Sequence, residues 1–322
     1  MIIVNSESAG AIERAAEIIR NGGMVAFPTE TVYGLGADAL NPSAVARIFE
    51  AKKRPSFDPL IVHLCSKEQI GEFCLRVNKT AERLIDRFFP GPLTLVLPKR
   101  RVIPDIVTAG LDTVAVRIPA HETALRLIEE SGRPVAAPSA NPFGYLSPTD
   151  AGDVARLLGG SIDMLLDGGK TMVGVESTVV FFEGKTPVVA RHGGVTIEEL
   201  RTEIGEVKVI GNSAIRPVSP GLLKRHYSPK TPIIIVRDFR GISRGKSASP
   251  GFLAFREPPE HEGGRAIEIL SKTGDLKEAA VNFFSALHRL DASGVDVIYA
   301  ERIPEKGLGR AIMERLRKAA CR

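Results

Sequence analysis

An apolar strand signal, Met24-Val25-Ala26-Phe27, stops at Pro28 and gives way to Thr29-Glu30-Thr31-Val32-Tyr33-Gly34-Leu35-Gly36. Proline carries no backbone N–H to extend a sheet ladder, so the two threonines are expected at the mouth of a sheet. One helix later comes Lys52-Lys53-Arg54-Pro55, and the whole run from Met24 to Arg54 holds little acid. Open α/β sheets bind ligands beyond the carboxyl ends of their strands, where helix N-termini and loop amides favour anions. Lys52 as a point charge and Arg54 as a planar fork then predict a phosphate or carboxylate site.

The first two-thirds of the chain alternates helix-period and strand-like segments. Helices are expected over Ala9–Arg20, from Pro42 to about Ala51 with Asn41 as cap, and near Lys67–Leu75 and Lys79–Phe89. Further ones follow over Glu122–Glu130, Asp150–Leu158 and Ile197–Ile204. Strands are expected at Met24–Thr29, Leu60–Leu64, Leu93–Leu97, Thr113–Ile118 and Val135–Ala137, then at Met164–Asp167, Ser177–Phe182 and Val188–Arg191. Strands that follow one another both with and without an intervening helix imply a mixed sheet.

Composition shifts at Ser213. Residues 213–232 hold four prolines, four Lys/Arg and no acid, the signature of a stiff basic linker. Beyond it a smaller α/β unit is expected, with strands at Ile233–Val236, Phe252–Phe255, Ile267–Leu270 and Val297–Ala300. Its helices should cover Asp275–Leu290 and Leu308–Ala319, and Gly241–Pro250 reads as a loop. A chain of 322 residues exceeds the usual size of one core. The expected domains are therefore 1–212, a linker or lid at 213–232, and 233–322.

No apolar stretch nears the roughly 20 residues that span a bilayer, and the N-terminus lacks a signal-peptide pattern, so cytoplasmic residence and no membrane partner are expected. Cys65, Cys74 and Cys321 make no CxxC pair and read as reduced thiols without structural zinc. The formal charge of +5 suggests anionic partners without separating a nucleotide enzyme from a nucleic-acid binder.

Several motifs then occur in order: PTETVYGLG from Pro28, Lys52-Lys53-Arg54-Pro55, Pro59-Leu60-Ile61-Val62-His63, Val116-Arg117-Ile118-Pro119, Ala137-Pro138-Ser139-Ala140-Asn141, Ser147-Pro148-Thr149 and Gly174-Val175-Glu176-Ser177-Thr178-Val179. Together they resemble the YrdC-like family of threonylcarbamoyl-AMP synthases. The linker Ser219-Pro220-Gly221…Arg225-His226-Tyr227-Ser228-Pro229 resembles that of the longer branch, which carries a second domain. The resemblance implies an α/β fold, a YrdC-like twisted mixed sheet flanked by helices with a basic concave face, plus a smaller Rossmann-like C-terminal α/β domain. It implies a reaction joining L-threonine, bicarbonate and ATP into threonylcarbamoyl-AMP with release of pyrophosphate. Mg2+ would be held mainly by the phosphates rather than by protein ligands. The product would pass to the tRNA threonylcarbamoyl transferase machinery, and weak RNA binding is a further expectation.

By the same resemblance, Lys52 and Arg54 act on the triphosphate as the catalytic cations, and Asp58, Thr113, Ser139, Asn141, Ser147 and Arg191 complete the ATP site. Thr31, His63, Arg117, Ala137 and Ser177 are assigned to threonine, Arg117 as a bidentate clamp on its carboxylate. His63 is expected to bind threonine rather than to do acid–base work. Tyr227, with Lys224 and Arg225, is expected to cover the site and exclude water from a reactive mixed anhydride. Three departures stand out. Lys53 replaces a frequent glycine, Asp58 a frequent asparagine, and His192 the proline of an Arg-Pro-Gly turn. Lys53 would adopt positive φ less readily than glycine, Asp58 would meet Mg2+ or swing away from phosphate, and His192 would leave the Arg191 turn less rigid.

Two other readings are weighed against this one. A carbamoyl-adenylate enzyme of hydrogenase maturation would carry CxxC zinc fingers, which three scattered cysteines do not supply. A double-stranded RNA binder would favour exposed aromatics or a steeper basic bias than 6% aromatics, no tryptophan and a charge of +5.

Overall fold

The computed structural model describes residues 1–210, 226–240, 242, 249–258 and 266–321. The expectations for Lys224, Arg225, Ser219-Pro220-Gly221 and most of the Gly241–Pro250 loop lie outside those residues. The chain opens with β1 (Ile2–Asn5), α1 (Ala11–Arg20), β2 (Val25–Phe27), β3 (Gly34–Asp38) and α2 (Pro42–Lys52). It continues through β4 (Ile61–His63), α3 (Ile70–Phe73), α4 (Lys79–Phe88), β5 (Leu93–Pro98), α5 (Asp105–Thr108), β6 (Thr113–Arg117), α6 (Glu122–Ser131) and β7 (Val135–Ala136). Then follow α7 (Ala151–Leu158), β8 (Met164–Asp167), β9 (Thr178–Glu183), β10 (Thr186–Arg191), α8 (Ile197–Ile204) and β11 (Lys208–Val209). These strands form one sheet of 11, ordered β1-β8-β2-β3-β7-β4-β6-β5-β9-β10-β11. Pairs such as β1/β8 and β4/β6 are parallel while β2/β3 and β5/β6 are antiparallel, so the sheet is mixed as its element pattern requires.

Alternation along β2 sends Val25 and Phe27 to one face and Ala26 to the other. Val25 and Phe27 pack with Ala15, Ile19, Leu127 and Ile128 of α1 and α6, whereas Ala26 joins Val45, Ile48 and Leu84 of α2 and α4. Helices therefore cover both faces, and the functional groups are left the strand ends. The α2 cap is as expected, the Asn41 side chain accepting from the Ser43 and Ala44 N–H groups.

Four elements escape the sequence pattern: β1, β3, α5 and β11. β3 is buried along its whole length, so it shows no polar alternation, and two of its residues are glycines. A Cβ on Gly36 would stand 2.6 Å from the Phe27 ring and 2.7 Å from Val135, so glycine is what lets β3 enter the sheet. The expected helix at Lys67–Leu75 shrinks to Ile70–Phe73.

The second unit comprises β12 (Ile233–Val236), β13 (Pro250–Ala254), β14 (Ala266–Ile269), α9 (Leu276–Ala292), β15 (Val297–Glu301) and α10 (Gly309–Ala320). Its four strands are all parallel in the order β12-β15-β13-β14. Among the described residues no helix is long and apolar enough to cross a membrane.

The two units share a core. Val32, Leu146 and Val175 of the first join Phe283, Phe284 and Leu316 of the second in one apolar cluster. Polar contacts reinforce it: Tyr145 Oη donates to Asp291, and His288 Nε2 donates to the Ser147 carbonyl at 3.2 Å. Gly174, at φ 73°, lies so close to α9 that a Cβ would come within 2.2 Å of the Ala280 carbonyl oxygen. Gly174→Ala is therefore expected to destabilise the chain by about 2–4 kcal/mol, adding overpacking to left-handed strain. Gly110→Ala, at φ 76° with open space around it, should lose only about 1 kcal/mol. Chemical denaturation of both variants checks the difference.

Candidate active site

Thr29 closes the loop between β2 and β3. Its Oγ1 donates to the Val32 carbonyl at 2.6 Å and accepts from the Thr31 and Val32 N–H groups at 3.2 and 3.3 Å. That turn holds Thr31 Oγ1 2.9 Å from Thr29 Oγ1 at the strand mouth. His63 and Arg117 end the parallel strands β4 and β6 in register with each other. Ala137, Pro138 and Ser139 follow β7, Ser177 immediately precedes β9, and Arg191 ends β10.

These segments enclose one pocket. Thr31, His63, Arg117, Ala137 and Ser177, the five residues assigned to threonine, all line it, together with Arg54, Ser139, Arg191 and Tyr227. Its empty space is about 530 Å³, part of it open to solvent. The His226–Tyr227 end of the linker forms one wall. Tyr227 is buried at φ 60° with its ring 4.1 Å from that of His226.

Three buried arginine–carboxylate pairs surround the pocket. Arg54 meets Asp58 at 2.8 Å, Arg117 meets Glu30 at 2.8 Å, and Arg315 of α10 meets Glu176 at 2.7 Å. Burial alone would raise the Glu176 pKa, but Arg315, Arg191 and the Ser147 hydroxyl outweigh it and hold the carboxyl at about 2. Arg191 is aimed by Ser177, donating to its carbonyl at 2.9 Å and its hydroxyl at 3.1 Å. Ser177 Oγ in turn sits 2.7 Å from Thr94 Oγ1.

Five expected site residues do not line this pocket. Lys52 is buried and donates from Nζ to the carbonyls of Ser139 and Asn141, so it ties the turn that presents Ser139. Burial, with Arg54 nearby, pushes its pKa well down. Asp58 turns inward onto Arg54, fully buried, and offers no exposed oxygen to a metal. Burial raises its pKa against the pull of Arg54. Asn141 donates to the Pro142 and Tyr145 carbonyls at 2.8 and 3.0 Å, shaping its own loop. Ser147 is buried and donates to Glu176 at 2.5 Å. Thr113 begins β6 opposite Pro98, four residues and roughly 13 Å along the strand from Arg117.

The other departures also resolve. Lys53 does take the left-handed conformation, at φ 51°, where it closes α2, so the strain expected of a residue in a glycine position is present. His192 uses the N–H that proline lacks, donating to Glu314 Oε2 at 2.9 Å, so the Arg191 turn is braced from the second unit rather than loosened.

The carboxylates Glu30 and Glu176 were missed as site residues, although both stand inside motifs quoted above. Their arginines lie 87 and 139 residues away in sequence, so no local spacing signals the pairs. Tyr33 and His226 were missed as well. Tyr33 Oη donates to the Gly169 carbonyl at 2.7 Å and lines the same pocket.

Fold and site define a two-domain α/β protein whose arginine- and hydroxyl-lined pocket suits a small zwitterion or anion, walled by the linker between its domains. A family model described as telomere recombination, for Sua5, YciO and YrdC proteins, matches residues 17–193, and one described as threonylcarbamoyl-AMP synthase, C-terminal domain, matches residues 195–321. The chain is 49% identical to a threonylcarbamoyl-AMP synthase of Pyrococcus abyssi, over 96% of this chain and 94% of that protein. It is 42% identical to one of Bacillus subtilis, over 96% and 92%. A crystal structure of P. abyssi Sua5 complexed with L-threonine superposes with a TM-score of 0.92 at 46% identity, covering 99% of this chain and 98% of that one. The chain belongs to the Sua5/YciO/YrdC family, in the branch with a Sua5 C-terminal domain.

The histidines of the pocket are expected to stay neutral. Burial, then the Arg117 charge, holds the His63 pKa at about 3, and burial holds that of His226 at about 3. An unfolded histidine titrates near 6.5, so the unfolded chain binds more protons and stability falls as pH drops from about 6.5 towards 3. Imidazole nitrogen NMR should show no titration of His63 between pH 8 and 5; a midpoint near 6.5 would contradict the burial argument.

Proposed function

We propose that the chain makes L-threonylcarbamoyladenylate and pyrophosphate from L-threonine, bicarbonate and ATP, with water as the other product. The observation that carries this reading is the convergence of Thr31, His63, Arg117, Ala137 and Ser177 on a single arginine-flanked pocket. Arg117 receives the threonine carboxylate. Glu30 neutralises it in part, so a zwitterion is preferred over a second bare anion. Neutral His63 supplies a hydrogen bond rather than a charge, which leaves acid–base work to the substrates. The threonine amine attacks the carbon of bicarbonate or CO2, and a carbamate oxygen then attacks the α-phosphorus while pyrophosphate leaves.

No nucleophilic side chain is required, since positioning and fixed cations carry such phosphoryl chemistry. Arg54 and Arg191 face the phosphates, and Lys52 holds the Ser139 turn in place. Mg2+ enters with the triphosphate, as part of the substrate, and the carboxylates nearest the pocket, Asp58, Glu30 and Glu176, are each paired with an arginine. The His226–Tyr227 wall excludes water from the mixed anhydride, which is consumed by a tRNA threonylcarbamoyl transfer step.

Pyrophosphate release from ATP and bicarbonate should depend on L-threonine, and Arg117→Gln should raise the threonine KM about 10- to 100-fold, the loss of one charge-assisted pair. Release that ignores threonine would overturn the reading.

A further inference from the structure

Arg315 is buried completely, and its guanidinium crosses from α10 into the first unit. Nε donates to Glu176 Oε2 at 2.7 Å, NH1 donates to the His192 carbonyl at 2.8 Å, and Cζ lies 5.3 Å from the centre of the Tyr227 ring. Each of these partners borders the pocket: Glu176 and Tyr227 line it, and His192 follows Arg191, which lines it too. The preceding residue, Glu314, accepts from the His192 N–H at 2.9 Å. Consecutive side chains of α10 thus grip both polar groups of the residue after Arg191. The Glu314 half of that grip exists only because His192 is not proline, which has no N–H to give.

We propose that Arg315, assisted by Glu314, is a positioning residue for the reaction: the C-terminal domain uses it to aim Arg191, to hold the Glu176 carboxylate in place and to seat Tyr227. This rests on the reaction proposed above. A packing role alone would not require a cation here, because a buried charge is costly unless it is paired. Arg315 is paired with Glu176 and bonded to the His192 carbonyl beside the pocket, and its third hydrogen bond goes to the Ala311 carbonyl of its own helix.

Removing the cation changes the ionisation of Glu176. The charged and titratable groups acting on Glu176 or on Arg315 are Arg191 from β10, His192 from the turn after it, His226 and Tyr227 from the linker end, and Glu314 and Lys318 from α10. Without Arg315 the burial penalty on Glu176 is opposed by Arg191 and the Ser147 hydroxyl alone.

The test compares wild type, Arg315→Met and Arg315→Lys by threonine-dependent pyrophosphate release across pH, with hydrogen exchange of residues 191–194 followed without substrates. Arg315→Met should lower kcat/KM at least 10-fold and add an acid limb, with its midpoint above the ordinary glutamate value of about 4.3, that Glu176→Gln then removes. Arg315→Lys should restore the pH profile but show a raised ATP KM, because a single nitrogen does not reproduce the planar fork whose separate nitrogens reach Glu176 and the His192 carbonyl. A folded Arg315→Met with wild-type kcat/KM and no acid limb would overturn the proposal. So would Arg315→Lys with an unchanged ATP KM, which decides the matter if the methionine variant does not fold. Wild type without threonine-dependent release sinks the proposed reaction, while the exchange rates at 191–194 still judge the grip: unchanged rates in both variants count against it.

Discussion

Three arginine–carboxylate pairs, Arg54–Asp58, Arg117–Glu30 and Arg315–Glu176, govern the layout of this protein. Each guanidinium is nearly or completely withdrawn from water, a state that costs several kcal/mol per ion unless a partner and further hydrogen bonds compensate. Arg54 is compensated by Asp58 within its own loop, whereas Arg117 and Arg315 are compensated from other elements, so those two pairs tie the loop after β2 to the end of β6, and α10 to the first unit. The pocket between them presents fixed cations without free carboxylates. Such an arrangement favours ligands whose charge is anionic or balanced.

The third pair makes the C-terminal domain part of the site. Its apolar contribution is the shared cluster around Phe283, Phe284 and Leu316, and its polar contribution is concentrated in α10. Gly174 permits both, since any side chain there would hold the two units apart. The linker end is seated by the same contact, with Tyr227 packed between His226, Phe284 and the Arg315 guanidinium. Docking of the domains and closure of the pocket are therefore one packing event.

Much of this was legible along the chain. Apolar periodicity located most helices, because a helix such as α1 presents a clear buried stripe, and short apolar runs such as Val114-Ala115-Val116 located most strands. It failed at β3, where burial on both faces and two glycines erase the alternation, and at β1 and β11, which are short edge strands with exposed residues. The motifs identified the pocket residues well where a side chain ends a strand, as with His63 and Arg117. They were less informative where a polar side chain is consumed by the fold. Lys52 and Ser147 look like ligand groups in sequence, yet each is buried and hydrogen-bonded to neighbouring loops.

What the sequence determined by itself is the chemistry available: a glycine- and threonine-rich strand mouth, ordered cationic motifs and a basic linker joining two α/β units. Only the tertiary structure decided which cation meets which acid. The partners of Arg117 and Arg315 stand 87 and 139 residues away, and pairing over such distances follows from strand order and domain docking rather than from local spacing. For the same reason the site's charge balance was invisible in the opening run. Its own acid, Glu30, is spent on an arginine at the end of another strand.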